Sequence, residues 1–142
     1  MKSFLLKNNT PTIKWSLLPE NIFFEGKIPE GYDLAVAPSG NDIILDVDVK
    51  NGKNGFKHIP YLIRTELDYT FYYNTRSGGR HYWLNYSGDK VLFNRATSLG
   101  LDLRIGGKGY VKYPHTTDIR CCLELINESS VRMNEWLEEL FS

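Results

Sequence analysis

The chain has 142 residues, a length typical of one compact domain. Apolar residues make up 42% and charged residues 24%, which excludes a disordered chain, and no apolar run approaches the roughly 20 residues that cross a bilayer. The 17 basic residues balance the 17 acidic ones overall, but residues 50–112 carry eleven basic against four acidic side chains. This basic middle segment favours an anionic partner such as phosphate, although chance clustering on a solvated surface gives the same pattern.

The amino terminus and the cysteines bear on the cellular compartment. The apolar patch near Met1 is shorter than the roughly 7–15 residues of a secretory signal. The adjacent Cys121 and Cys122 cannot form a disulfide framework. We therefore expect a cytoplasmic protein with no membrane partner.

The secondary structure is predicted as short strands with a few helices. The prolines and glycines of residues 7–33 leave room only for short elements, and a helix over 56–67 requires Pro60 in its first turn. Candidate N-cap residues at 127–130 precede a final helix whose apolar stripe should pack on the sheet. The predicted strands cover 33–36, 43–49, 69–75, 80–86, 99–105 and 110–113. Together these elements predict an α+β fold with a mostly antiparallel sheet.

The strand at 43–49 carries two acidic residues on one face. Side chains alternate along a strand, so Asp46 and Asp48 point the same way, while the apolar residues between them face a core. A hard divalent cation would relieve their repulsion, because Mg²⁺ and Mn²⁺ prefer carboxylate oxygens. A strand with one solvent-facing side explains the pair equally well.

The strand at 99–105 repeats this pattern. Asp102 and Arg104 share one face, opposite three apolar side chains. Asp102 could supply a third carboxylate to a metal site, and Arg104 could hold a phosphate oxygen. A simple ion pair between the two residues is the alternative.

A glycine-containing turn lies between the strands at 69–75 and 80–86. Its consecutive glycines allow close backbone approach to an anion, and the turn is flanked by hydroxyl, guanidinium and imidazole donors. An ordinary hairpin turn is the alternative. The residues concerned are Ser77, Gly78, Gly79, Arg80 and His81.

Taken in order, these three groups resemble the motifs of the archaeo-eukaryotic primase superfamily, in its bifunctional DNA primase–polymerase (prim-pol) branch from phages, plasmids and mobile elements. The motifs read Leu-Asp-Val-Asp at 45–48, Ser-Gly-Gly-Arg-His at 77–81 and Leu-Asp-Leu-Arg at 101–104. The last is followed by a glycine-rich turn and Tyr110. The resemblance covers roughly residues 34–116.

The resemblance implies a metal-dependent nucleotidyltransferase that makes or extends primers on single-stranded DNA. Asp46, Asp48 and Asp102 would hold two Mg²⁺ or Mn²⁺ ions. The nucleotide, a dNTP or NTP, would be bound by Arg104 together with Ser77, Gly78, Gly79, Arg80 and His81. Lys50, Lys53 and Lys108 would approach the template strand.

The family fold would be an RRM-like, mostly antiparallel sheet with flanking helices and a small N-terminal α/β unit. We expect a single prim-pol-like domain over residues 1–142. Its parts are a short Pro-rich segment at 1–33, the motif-bearing core at 34–116 and a C-terminal segment with a terminal helix at 117–142. A helicase or helical primase domain would then act in trans, or this chain would be a domain excised from a longer protein.

Two other functions remain open. Three aspartates and a histidine also suit a metal-dependent nuclease or a replication-initiation domain. A non-catalytic module could instead bind single-stranded nucleic acid by stacking bases on exposed tyrosines of the sheet. The candidates for that stacking are Tyr69, Tyr72, Tyr73, Tyr82 and Tyr86.

Overall fold

The computed structural model describes all residues from Met1 to Ser142 and contains nine strands and two α-helices. Short 3-10 helices cover Trp15–Leu17, Gly55–His58 and Ile119–Leu125. The α-helices are α1 (Tyr61–Leu67) and α2 (Val131–Phe141). The strands are β1 (Lys2–Lys7), β2 (Thr10–Pro11), β3 (Tyr32–Ala37), β4 (Asp42–Val47), β5 (Tyr72–Asn74), β6 (Arg80–Asn85), β7 (Leu101–Ile105), β8 (Val111–Tyr113) and β9 (Asn127–Glu128).

The strands form two sheets. The first has the order β2-β1-β3-β8, and the second has the order β5-β6-β4-β7, with β9 beside β6. All pairs are antiparallel except β6 with β9. The predicted α+β class and the antiparallel pairing are therefore confirmed, but the strands form two sheets where a single sheet was predicted. The turn at 77–79 joins the hairpin β5–β6, as predicted, whereas the turns at 38–41 and 106–109 connect strands of different sheets.

The second sheet is buried on both faces. On β4, Leu45 and its alternate neighbours pack with both helices in one core cluster. Ile44, on the opposite face, packs with Val36 and Val111 of the first sheet in a second cluster. The layers are thus helices, second sheet and first sheet. Asp46 shares the face of Ile44, so its side chain lies on the side of the first sheet.

The local predictions were partly too long or incomplete. The region 56–67 is a 3-10 helix followed by α1, because Pro60 stands immediately before the first residue of α1 and interrupts the turn. Strand β1 was not predicted, yet it pairs with β3 along its whole length. The final helix begins as predicted, since the Ser130 hydroxyl accepts a hydrogen bond from the Met133 amide at 3.1 Å. No helix in the chain has the length and apolar character that a membrane span requires.

Candidate active site

Three of the predicted site residues form one row across the second sheet. Asp46 on the central strand β4 lies directly opposite His81 on β6 and directly opposite Asp102 on β7. Directly opposed residues project their side chains from the same face, with Cβ atoms about 4.5–5.5 Å apart. The fold therefore brings these residues together although they are far apart in sequence.

His81 contacts Asp46 within this row. Its Nε2 atom lies 3.3 Å from Oδ1 of Asp46, and the residue is only 5% exposed. The other ring nitrogen, Nδ1, lies 3.0 Å from the hydroxyl of Tyr73. Both imidazole nitrogens are thus occupied by polar partners, as a buried histidine requires.

Two groups hold the carboxylate of Asp102. The Thr97 amide donates to its Oδ1 at 3.1 Å, and a guanidinium nitrogen of Arg104 lies 3.8 Å from its Oδ2. The ion pair considered as an alternative for this strand is therefore present. Burial raises the pKa of Asp102, and the negative charge of Asp46 contributes in the same direction. The carboxylate is consequently less stable in its charged form than an exposed one.

Asp48 lies just beyond the end of β4. Its backbone N–H donates to the Gly100 carbonyl at 2.8 Å, and its carbonyl accepts from Gly55 at 2.9 Å, so the chain stays attached to its neighbours there. One carboxylate oxygen accepts from the Lys50 amide at 2.9 Å. This turn fixes the orientation of Asp48 beside Asp46.

A cleft of about 360 Å³ opens beside Asp46 and Asp48. A volume of this size falls in the usual range for small-molecule sites. Acidic groups come from β4 and its end, whereas cationic groups come from both sheets and from the 75–77 turn. The polar lining residues are Asp46, Asp48, Lys50, Thr75, Arg76, Ser77, His81, Arg104, Tyr110 and Lys112.

Two of the cleft cations share an acidic partner on the first sheet. Asp33 lies 3.4 Å from the Lys112 ammonium and 4.0 Å from the Arg76 guanidinium. Asp33 was not among the predicted site residues, because nothing in the sequence relates β3 to the 75–77 turn. Its position emerges only from the packing of the two sheets.

Arg80 lies on the other side of the second sheet from His81. Strand alternation turns its side chain toward the helix face, where it stacks on Tyr72 at 4.4 Å and donates to the Tyr82 hydroxyl at 3.0 Å. Its guanidinium also lies 3.5 Å from Asp68. The expectation that Arg80 contacts the nucleotide finds no support in this placement, because the guanidinium faces away from the cleft.

Some of the predicted site residues do not line the cleft. The side chain of Asp102 is not part of the lining, nor are Lys53 and Lys108.

The two glycines shape the turn between β5 and β6. Gly78 has a φ of +90°, and a Cβ at Gly79 would lie 2.2 Å from the Val47 carbonyl oxygen. Gly79 thus allows the turn to sit directly against the end of β4.

The tyrosines proposed for base stacking divide between core and surface. Tyr73 and Tyr82 are buried in the core clusters, and Tyr86 donates to Glu138 of α2 at 2.5 Å. Only Tyr69 and Tyr72 are exposed. Tyr72 lies on the edge strand β5, on the face of the sheet opposite to Asp46, and Tyr69 precedes this strand. The structure therefore offers no continuous stacking surface of five tyrosines.

The donor chemistry suits a hard divalent cation, because carboxylates from two strands share one end of the sheet. The backbones of Asp46 and Asp102 hold these groups at a spacing that one ion can bridge. In the observed side-chain positions, no three His, Cys, Asp or Glu residues converge closely enough to hold an ion. A metal site that includes Asp102 would therefore require this side chain to release its contacts with Thr97 and Arg104.

No protein-family model matches the chain, and no curated protein shows significant similarity to it. The resemblance to the primase superfamily consequently depends on the three motifs alone. In the fold, one residue from each motif lies in the His81–Asp46–Asp102 row.

Proposed function

We propose that the chain is a metal-dependent nucleotidyltransferase of the primase–polymerase type, which makes or extends primers on single-stranded DNA in the cytoplasm. The observation that carries this proposal is the row His81–Asp46–Asp102, of which His81 and Asp46 line a cleft containing both carboxylates and cations. Nucleotidyl transfer needs carboxylates for divalent ions and cations for the triphosphate, in one place.

The cationic side of the cleft suits the triphosphate of the incoming nucleotide. Arg76, Lys112 and Lys50 line the cleft from three different segments, and Ser77 adds a hydroxyl beside them. A phosphate chain entering there would exchange the contacts of Arg76 and Lys112 with Asp33 for stronger, charge-assisted bonds to phosphate oxygens. These side chains would thus orient the nucleotide.

The acidic side suits the metal ions. Asp46 and Asp48 would hold the ions in the cleft, and Asp102 would join them after turning from Thr97. Two divalent ions supply activation of a primer 3′-hydroxyl and neutralisation of the leaving pyrophosphate when bound. His81, next to Asp46, would hold a phosphate oxygen at the boundary between the acidic and cationic sides.

The test is incorporation of labelled dNTP or NTP with Mg²⁺ or Mn²⁺ on a single-stranded template, with and without a primer. Asp46→Asn and Asp102→Asn should each lower incorporation by at least about a hundredfold, because each removes a charge that the metal ions need. Asp42→Asn is the matched control: Asp42 lies on the same strand, and its contact with Asn85 needs only an acceptor oxygen that asparagine retains. Incorporation that survives both site variants would contradict the proposal.

The same assay separates the two alternatives. Scission of the template without synthesis would indicate a nuclease, whereas binding of single strands with neither reaction would indicate a non-catalytic module. Circular dichroism of each variant is needed beside the assay, so that loss of activity is not mistaken for loss of the fold. A helicase or helical primase domain that acts in trans would raise activity on duplex templates only.

A further inference from the structure

Tyr73 occupies a position between the hydrophobic core and the candidate site. It is 8% exposed and lies on β5 directly opposite His81 of β6. Its hydroxyl oxygen lies 3.0 Å from Nδ1 of His81 and 3.3 Å from Nε1 of Trp83, which is fully buried. A chain of hydrogen bonds thus runs from the core indole through a phenol to the imidazole beside Asp46.

The chemistry of these groups fixes the direction of the chain. The indole N–H of Trp83 is only a donor, so the hydroxyl oxygen of Tyr73 accepts from it. The hydroxyl hydrogen then has one acceptor within reach, which is Nδ1 of His81. Burial raises the pKa of Tyr73 well above its usual range, so the hydroxyl keeps this hydrogen at any ordinary pH.

The contact of the other ring nitrogen of His81, Nε2, is consistent with donation from the Tyr73 hydroxyl to Nδ1. Nε2 of His81 faces a carboxylate oxygen of Asp46 at 3.3 Å, a contact that is favourable when Nε2 carries the hydrogen. The reverse tautomer would direct a lone pair of Nε2 at the carboxylate and leave the Tyr73 hydroxyl hydrogen without an acceptor inside the core. A buried donor without a partner costs about 1–3 kcal/mol.

We propose that Tyr73 is a positioning residue, which donates its hydroxyl hydrogen to Nδ1 of His81 and thereby holds Nε2–H toward the cleft. When Asp46 holds a metal ion, this N–H is free to donate to a phosphate oxygen, and Nε2 does not serve as a proton acceptor. The catalytic part of this inference rests on the proposed function, whereas the tautomer itself does not. Trp83 supports the arrangement from the core, because its N–H fixes the orientation of the phenol oxygen.

The first measurement is the tautomer of His81 in the intact wild-type chain. Nitrogen-15 spectra of the imidazole at pH 8 distinguish a protonated from an unprotonated ring nitrogen. We expect an unprotonated Nδ1 and a protonated Nε2 in the wild type. A hydrogen on Nδ1 would overturn the inference directly, whatever any variant does.

The second measurement compares Tyr73→Phe with Tyr113→Phe. Tyr113 packs edge-on against Tyr73 at 5.0 Å and is equally buried, but its hydroxyl makes no bond to His81. We expect Tyr73→Phe to give a mixture of His81 tautomers and to raise KM for the nucleotide about tenfold with a smaller change in kcat. Tyr113→Phe should change neither quantity.

The outcomes separate this inference from the proposed function. A wild type that incorporates no nucleotide but shows the expected tautomer contradicts the function and supports the role of Tyr73. An active wild type whose tautomer and KM are unchanged in Tyr73→Phe contradicts the role of Tyr73 alone. Equal effects in both phenylalanine variants would indicate general core damage and would also overturn the inference.

Discussion

Asp46 and Asp102 lie directly opposite each other on β4 and β7, so two carboxylates occupy adjacent positions on one face of the sheet. Like charges directly opposed across two strands are destabilising. The Thr97 amide and the Arg104 guanidinium lower the pKa of Asp102, but burial outweighs them and the pKa is raised. The folded protein therefore carries an electrostatic cost at this point, which a bound cation would relieve.

Replacing Asp102 should consequently stabilise the protein. We expect Asp102→Asn to raise Tm at pH 7 by roughly 2–5 °C, the shift produced by about 1 kcal/mol, which is an upper limit once solvent screening is counted. Asparagine keeps an oxygen that can accept from Thr97. Mn²⁺ should raise Tm of the wild type more than that of the variant. Differential scanning calorimetry measures both, and Asp89→Asn, at an exposed position, provides the control for charge alone.

The same pair predicts a dependence of stability on pH. Because the pKa of Asp102 is raised by folding, the folded state binds this proton more tightly than the unfolded state. Its stabilising contribution is present below the unfolded-state pKa of about 4 and is lost as pH rises through the folded-state pKa. The difference in unfolding free energy between Asp102→Asn and wild type should therefore grow in favour of the variant from about pH 4 toward neutrality. Urea denaturation at several pH values measures it, and a difference that shrinks with pH would contradict the assignment.

Asp33 should compete with the nucleotide for two cations of the cleft. Removing its charge in Asp33→Asn frees Lys112 and Arg76 from contacts of 3.4 and 4.0 Å. Exposed ion pairs contribute about 0.2–1 kcal/mol each, so for the two pairs together we expect affinity for a nucleoside triphosphate to rise by roughly two- to thirtyfold. Isothermal titration calorimetry in the absence of template measures this. Glu25→Gln, which removes an equal charge from Arg120 outside the cleft, should leave the affinity unchanged.

Substitution of Gly79 should destabilise the protein because of a steric clash rather than because of backbone strain. A Cβ there would lie 2.2 Å from the carbonyl oxygen of Val47, and the backbone of a central strand cannot move away cheaply. We expect Gly79→Ala to lower the free energy of unfolding by about 1–3 kcal/mol. Gly107→Ala is the comparison: φ is +77° but no atom lies within 4 Å, so only the backbone term of about 1 kcal/mol applies. Equal losses in the two variants, measured by urea denaturation, would contradict this account.

Strand alternation explains both what the sequence predicted well and where it failed. The pattern of β4 and β7 placed Asp46 and Asp102 opposite apolar faces, and antiparallel pairing then put them on one side. The same alternation places Arg80 and His81 on opposite faces of the sheet. The motif at 77–81 predicted that both would contact the nucleotide, because it treats consecutive residues as one group. Local patterns also carry no information on which strands share a sheet, so the contact of Asp33 with the cleft could not be predicted.

The side-chain conformation of Asp102 could not be predicted from the sequence either. Whether its carboxylate turns to Asp46 or to Thr97 depends on a loop amide that lies five residues earlier and folds back on β7. Strand β1 illustrates a related limit, because its sequence Lys-Ser-Phe-Leu-Leu-Lys does not alternate between polar and apolar residues and its pairing with β3 is a long-range contact. Local sequence patterns therefore predicted which residues form the site, but not the conformations of their side chains or the long-range strand pairing.

Arg76 lies at the cleft, whereas Arg80, four residues later, points to the helix side of the second sheet. Replacing Arg76 should therefore affect nucleotide binding, and replacing Arg80 should affect stability. The side chain of Arg76 is 73% exposed and lines the cleft, so Arg76→Ala should weaken triphosphate binding several-fold with little change in stability. Arg80 stacks on Tyr72 and bonds to Tyr82, so Arg80→Ala should cost about 1–2 kcal/mol of stability with little change in binding. Calorimetric binding and urea denaturation of both variants test the pair. An affinity loss in Arg80→Ala as large as in Arg76→Ala, at temperatures where the variant is folded, would mean that its guanidinium reaches the nucleotide after all.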